Sequence, residues 1–318
     1  MPDEHNDDLW RNFPKTALEF EKRFATEADC RAYWIEARWG GTPSCTKCNS
    51  TRVWPERGGN LFECAECGHQ TSLTSGTLLQ GTRKSFKTWF RAVFEISSRR
   101  NGISAKELQR IMGFGSYETA WTWLHKLRVA LVRPEREPLS QRVQIDEGFV
   151  GGKRGGKSMV LVATETTDGR IRLAHAENND EATLQQFADA HVAPAAAVTT
   201  DGLASYNSKS LGERPHEGIV QTKAERRAHD TLQGVHWTMS LLKRWLLGTH
   251  AGAVGAKHLQ AYLDEFAFRH NRRKTKGVGR IAARTLQQLV VSAPMTMKKL
   301  VRETLPCRAF RSSADRYD

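Results

Sequence analysis

Two cysteine pairs constrain this chain more than any other feature. Cys45-Thr-Lys-Cys48 and Cys64-Ala-Glu-Cys67 stand fifteen residues apart, a spacing within the range of a four-thiolate zinc site. Zinc takes four soft ligands at tetrahedral corners, and two tight turns brought together by a short hairpin supply them. Four unrelated buried thiols would not pair so regularly. A closed shell on Cys45, Cys48, Cys64 and Cys67 leaves no open position, so the zinc expected there folds a ribbon rather than catalysing. His69 is expected beside this site or at the surface, and the solitary Cys30 and Cys307 as small core residues.

Charge narrows the partners. Of 318 residues, 48 are Lys or Arg and 35 are Asp or Glu, a net +13 accompanied by nine tryptophans. Such a surplus favours a polyanion, nucleic acid first. No apolar run reaches the roughly 18 residues of a membrane span, so no membrane association is expected. The opening MPDEHNDDLW has neither the basic nor the apolar region of a secretory signal. Cysteines paired for metal also suit a reducing compartment. The expected location is the cytoplasm of a bacterial cell.

The texture of the chain divides it further. Residues 9–40 carry apolar and aromatic residues at helical spacing, with Thr26 to Asp29 as a start signal. Residues 41–80, rich in Gly, Cys, Thr and Ser, form the ribbon. Residues 81–133 predict helices from about Ser85 to Met112 and from Ser116 to Val132. Within them Ser104 and Glu107 form a capping box, and Gly113 and Gly115 a short turn, which suits a helix-turn-helix presenting Tyr117, Glu118 and Thr119. An ordinary helical hairpin has the same pattern. PEREPLS then reads as a linker.

From residue 140 strands predominate. VQIDEGFVGG, MVLVATET and RIRLAHAE predict three antiparallel strands, followed by a helix over Glu181 to His191 and a short strand, AAAVTTDG, ending at Asp201. Helices over Asp230 to Leu247 and Lys257 to His270 complete an α/β domain of residues 140–290, with 291–318 as a tail. The stretch Gly151 to Ser158 satisfies the G-x-x-x-x-G-K-S pattern. Yet a phosphate loop must open a helix, and the strand-like MVLVATET follows instead. It reads as a basic hairpin tip whose Lys153, Arg154 and Lys157 reach DNA.

Asp146 ends the strand-like VQID and Asp201 ends AAAVTTD. Acids from two strands suit divalent cations that act on a phosphorus atom, although turn aspartates look alike in sequence. Arg269, Arg272 and Arg273, after an amphipathic helix, are expected to meet the DNA backbone.

CTKC, CAEC, ISAKELQ, IDEGFVGGK, TTDGLASY, HWTMSLLKRWLLGTH and HLQAYLDEFAFRHNRR together resemble the ISXO-like insertion-sequence transposases, DDE-type enzymes with an N-terminal zinc ribbon. The resemblance implies an RNase H-like catalytic domain using Mg²⁺ or Mn²⁺ to free the element's 3′ ends and join them to target DNA. It places the first acid at Asp146, the second at Asp201 and the third position at His236, 35 residues later. Most DDE enzymes have Glu there; a neutral imidazole still binds metal. Asp230 and Glu265 are alternative acids, Glu265 fitting a helix-surface or structural role better. Lys243, two helical turns after His236, matches the family's basic residue near the reacting DNA end.

The expectation is thus a multi-domain chain: zinc ribbon, helix-turn-helix-like region, then an α/β RNase H-like domain. Its partners would be the double-stranded element ends and target, bound by a dimer or higher oligomer in the nucleoid. The alternatives are a catalytically decayed DNA-binding regulator and a nuclease that cuts without joining.

Overall fold

The computed structural model describes residues 9, 12–56, 58–132, 136–151, 156–219, 232–252 and 254–302. Its elements in chain order are α1 (Ala17–Arg23), α2 (Glu27–Trp39), β1 (Val53–Pro55), β2 (Leu61–Cys64), β3 (Gln70–Ser72), α3 (Phe86–Ser98), α4 (Ala105–Met112), α5 (Tyr117–Leu131), β4 (Arg142–Gly151), β5 (Lys157–Glu165), β6 (Ile171–Ala176), α6 (Glu181–His191), β7 (Ala197–Thr200), α7 (Ser208–Leu211), β8 (His216–Gly218), α8 (Gln233–His250), α9 (Ala256–Asn271), α10 (Val278–Val291) and α11 (Met297–Arg302). Short polar side chains start several helices by accepting exposed backbone N–H groups. Thr26 and Asp29 form a reciprocal box on α2, while Ser104 caps α4 and Asp180 caps α6. The helix expected over Ser85 to Met112 is two helices. Between them the Gly102 N–H bonds the Arg99 carbonyl at 3.1 Å, Gly102 adopts φ +73°, and Ser104 starts α4 anew.

The described residues form two units, one from residues 1–131 and 275–302, the other from 132–274. In the first, α10 packs against α2, α3 and α5, so the α/β domain is shorter than the expected 140–290. Ala282, Ala283, Leu286 and Leu289, on one face of α10, are each fully buried, and an apolar stripe of that kind has to lie against a bundle. α5 is buried almost all round: Ala120, Thr122, Trp123, Leu124, His125 and Leu127 are in the core, and Trp123 stacks on Trp89 at 3.4 Å between centroids. Of the expected DNA-reading helix, Tyr117 and Glu118 are exposed and Thr119 is half-buried. The ribbon sheet β1-β2-β3 is antiparallel. It is anchored by the Trp34 indole N–H and Arg38, which both donate to the Leu73 carbonyl.

The second unit is a five-stranded sheet of order β6-β5-β4-β7-β8. β6, β5 and β4 are antiparallel neighbours, as expected, while β7 and β8 join in parallel. Val143, Ile145 and Val198 pack on one face with Leu184, Phe187 and Ala188 of α6. Val150, Val160 and Val162 pack on the other with Val235 and Leu242 of α8 and Leu263 and Phe266 of α9. Asn271 closes the β6 edge, its side chain accepting the Ile171 N–H at 2.8 Å and donating to the Ile171 carbonyl at 3.0 Å. Gly151 is paired with Lys157 across an antiparallel β4–β5 register. The G-x-x-x-x-G-K-S stretch therefore joins two strands and opens no helix. No helix of the described residues is long and apolar enough to cross a membrane.

Candidate active site and zinc centre

Each cysteine pair sits on a tight turn followed by a residue in the left-handed region. Asn49 (φ +59°) and Gly68 (φ +65°) occupy these positions, which suits the two residue types that tolerate them best. Their N–H groups bond back to the carbonyls of Cys45 and Cys64, each at 2.9 Å. The four sulfurs lie within 4.8 Å of one another, with Cys45 to Cys67 at 3.6 Å and Cys48 to Cys64 at 3.5 Å. Tetrahedral zinc with Zn–S near 2.3 Å requires sulfurs about 3.8 Å apart, so the donor set fits. The backbone N–H groups of Cys48 and Lys47 favour the Cys45 thiolate and bring its pKa down to about 6. His69 is exposed, its ring 3.4 Å from the Thr46 hydroxyl. Cys30 is fully buried, and burial pushes its thiol up to about 12. Cys307, like Lys153, Arg154 and Asp230, lies outside the described residues.

Parallel pairing of β4 with β7 aligns Gln144 with Thr199. The ladder ends there, and Asp201 follows Thr200, the last residue of β7, close enough for its charge to act on Asp146. On β4 the even-numbered positions face α8: Gln144 Oε1 accepts the Gly234 N–H at 2.9 Å, and any side chain added at Gly148 would collide with Met239. Asp146 lies between these two contacts on the strand, and His236 lies between them on the helix. Asp146 Oδ1 accepts the Glu147 N–H at 2.8 Å, and Asp201 Oδ1 accepts the Leu203 N–H at 3.0 Å. Burial, together with the charges of Glu147 and Asp201, pushes Asp146 up to about 7. Among the described residues no Lys or Arg is ion-paired with either aspartate.

The structure thus brings Asp146 and Asp201 together. It does not draw His236 into a three-ligand cluster with them: among the described residues the four cysteines are the one such group. His236 is half-buried in the first turns of α8, and Lys243 is exposed two turns further along. Sequence reasoning misses Gln144, which ties the Asp146 strand to the His236 helix, and the neighbouring Glu147 and Tyr206. Strand alternation around Asp146 was the available signal, but the partners of these side chains lie 59 and 90 residues away.

Of the basic cluster, Arg269 lies in the last turn of α9, and Arg272 and Arg273 follow the helix. Arg269 is ion-paired at 2.7 Å with Glu265, whose side chain is fully buried. Arg273 donates to the carbonyls of Asp168, Gly169 and His270, holding the β5–β6 turn, and Arg272 lies over the Phe268 ring at 4.0 Å. Lys157 is exposed at the start of β5.

Residues 138–271 match the family model of the ISXO2-like transposase domain, and residues 25–70 match that of the transposase zinc-ribbon domain. Together the two matches span more than half of the chain. Among curated proteins none matches.

Proposed function

The chain belongs to the ISXO-like transposases with an N-terminal zinc ribbon, and on that premise we propose that it cleaves the 3′ ends of an insertion sequence and joins them to target DNA. The observation that carries this reading is the pair of neighbouring acids, Asp146 on the face of β4 toward α8 and Asp201 directly after β7, with the Asp201 charge acting on Asp146. A sheet of three antiparallel and two parallel strands, covered by helices on both faces, supports an RNase H-like domain.

The donors fit a divalent cation. Two carboxylates are oxygen ligands suited to Mg²⁺ or Mn²⁺, and Asp146, raised to about 7 by burial and then by the charges of Glu147 and Asp201, is a site whose ionised form a cation would favour. When bound, such ions neutralise charge and act as Lewis acids at the scissile phosphate. Asp146 and Asp201 would hold them, with His236 as the third ligand. Water first attacks the phosphorus at the element end; its oxygen bonds to phosphorus, and the 3′ oxygen leaves and takes up a proton. The freed 3′-hydroxyl then attacks a target phosphodiester, losing its proton to solvent as the target's own 3′ oxygen departs. Lys243, exposed on the same helix as His236, would hold a DNA phosphate and keep the reacting oxygen in line. The zinc ribbon and the helical bundle would bind the element ends, and joining two ends requires at least a dimer on DNA.

Strand joining tests the reading. Purified protein is incubated with DNA carrying the flanking ends in Mg²⁺ or Mn²⁺, beside Asp201→Asn and His236→Ala. Joined product lost in both variants supports the proposed ligand set. Cutting without joining would leave a nuclease, and end binding without cutting would favour a decayed regulator.

A further inference from the structure

Glu147 follows Asp146 on β4, so its side chain is directed to the opposite face of the sheet. Both of its oxygens are engaged there. Asn179 Nδ2 donates to Oε1 at 2.9 Å, and the Tyr206 hydroxyl donates to Oε2 at 2.9 Å. The donors belong to two different connections, Asn179 to the one between β6 and α6, Tyr206 to the one between β7 and α7. The second connection begins with Asp201 and is folded upon itself. Asp201 Oδ1 accepts the Leu203 N–H at 3.0 Å, and the Leu203 carbonyl accepts the Tyr206 N–H at 2.9 Å. A shift of Tyr206 is therefore passed to Asp201 through two hydrogen bonds. Tyr206 is only 4% exposed and packs in the core with Val143, Ile145 and Val198, which are residues of the two strands that carry the acid pair.

We infer that Glu147 is a positioning residue for the acid pair: gripping Tyr206 from behind the sheet, it sets the separation at which Asp146 and Asp201 close on a divalent cation. The inference rests on the reading of those two aspartates as cation ligands. Groups that orient metal ligands in this way are typically worth about 10- to 100-fold in metal affinity or activity. The carboxyl makes one tie to each connection, so its removal should cost more than removal of the Tyr206 hydroxyl alone.

The test uses the full-length, zinc-loaded chain as wild type, Glu147→Ala, Tyr206→Phe, the double variant and Asp201→Asn. Two quantities are read: Mn²⁺ bound in the absence of DNA, from the loss of the free-ion electron paramagnetic resonance signal, and the Mn²⁺ concentration giving half-maximal end cleavage. Tyr206→Phe should raise the Mn²⁺ midpoint about 10-fold and Glu147→Ala more. The double variant should match Glu147→Ala, because both substitutions break one tether. End-DNA affinity should be unchanged. A merely structural tether would lower the thermal midpoint and leave the Mn²⁺ midpoint where it was, and that result overturns the inference. If Asp201→Asn loses Mn²⁺ while the Glu147 and Tyr206 variants behave as wild type, the inference alone fails. If Asp201→Asn retains wild-type Mn²⁺ binding and Mn²⁺ midpoint, the acid-pair reading fails and takes the inference with it.

Discussion

Gln144 on β4 accepts the Gly234 N–H of α8 at 2.9 Å, so the strand bearing Asp146 caps the helix bearing His236. α8 has no cap from its own flanking residue Leu232, and the cap supplied across the fold couples helix stability to site geometry. Gln144→Ala should cost about 1 kcal/mol, the usual worth of a helix cap, seen as a lower urea midpoint, and should slow end cleavage. Gly234→Ala should act more strongly, since its Cβ would come within 2.8 Å of Gln144 Oε1 and 3.0 Å of Thr164 Cγ2. Wild-type cleavage and stability in both variants would show that the coupling is absent.

The ribbon depends on its metal. Elemental analysis should find one zinc per chain, and Cys64→Ser should lose it together with the folded ribbon, since structural zinc supplies folding energy directly. Binding to end DNA should fall in parallel. A zinc-free protein that keeps both its thermal midpoint and end binding would contradict this.

Stability should weaken in mild acid. Burial is the main cause that holds His191 well below the ordinary histidine value, with Arg136 and Arg172 adding to it; burial likewise lowers His175, and lowers His270 with help from Arg273. These rings take up protons less readily in the fold than in the unfolded chain, where they do so below about pH 6.5. Their contribution is complete above that pH and is lost as pH falls toward the folded values, by at most about 1.4 kcal/mol per pH unit per histidine. Urea midpoints at pH 7.5 and 5.5 measure the loss. His191→Gln should flatten the profile, and a midpoint that rises on acidification would contradict the assignment.

Arg269 and Lys243 should separate stability from DNA contact. Arg269→Ala removes an ion-pair partner of fully buried Glu265 and should lower the thermal midpoint, as breaking a buried pair does. Lys243→Ala, at an exposed site, should leave the thermal midpoint unchanged while lowering the salt dependence of end-DNA binding by about one unit of slope. The opposite pattern would exchange the two roles.

Much of the fold was legible because its signals are local. Thr26 with Asp29, Ser104 and Asp180 announce helix starts through side chains that reach only three residues. Period-two runs around Ile145, Val162 and Leu173 announce strands, and Asp168 with Gly169 announces the turn between two of them. Arg269, Arg272 and Arg273 read in sequence as one basic cluster, but their surroundings differ: Arg269 is paired with buried Glu265, whereas Arg273 is exposed over the β5–β6 turn. Their Asp168, Gly169 and Glu265 partners appear only when α9 is laid beside the β5–β6 turn.

By itself the sequence determined the four-thiolate ligand set, several helix caps, and two acids, one within a strand and one directly after another, since each depends on residue type at short spacing. Tertiary structure alone decided that α10 returns to the first unit, that α5 is packed into the core over most of its length while its first residues Tyr117 and Glu118 stay exposed, and that Glu147 grips Tyr206 across 59 residues. The reason is physical. Periodicity states that a face must be buried, whereas its partner is chosen by the packing of the whole chain.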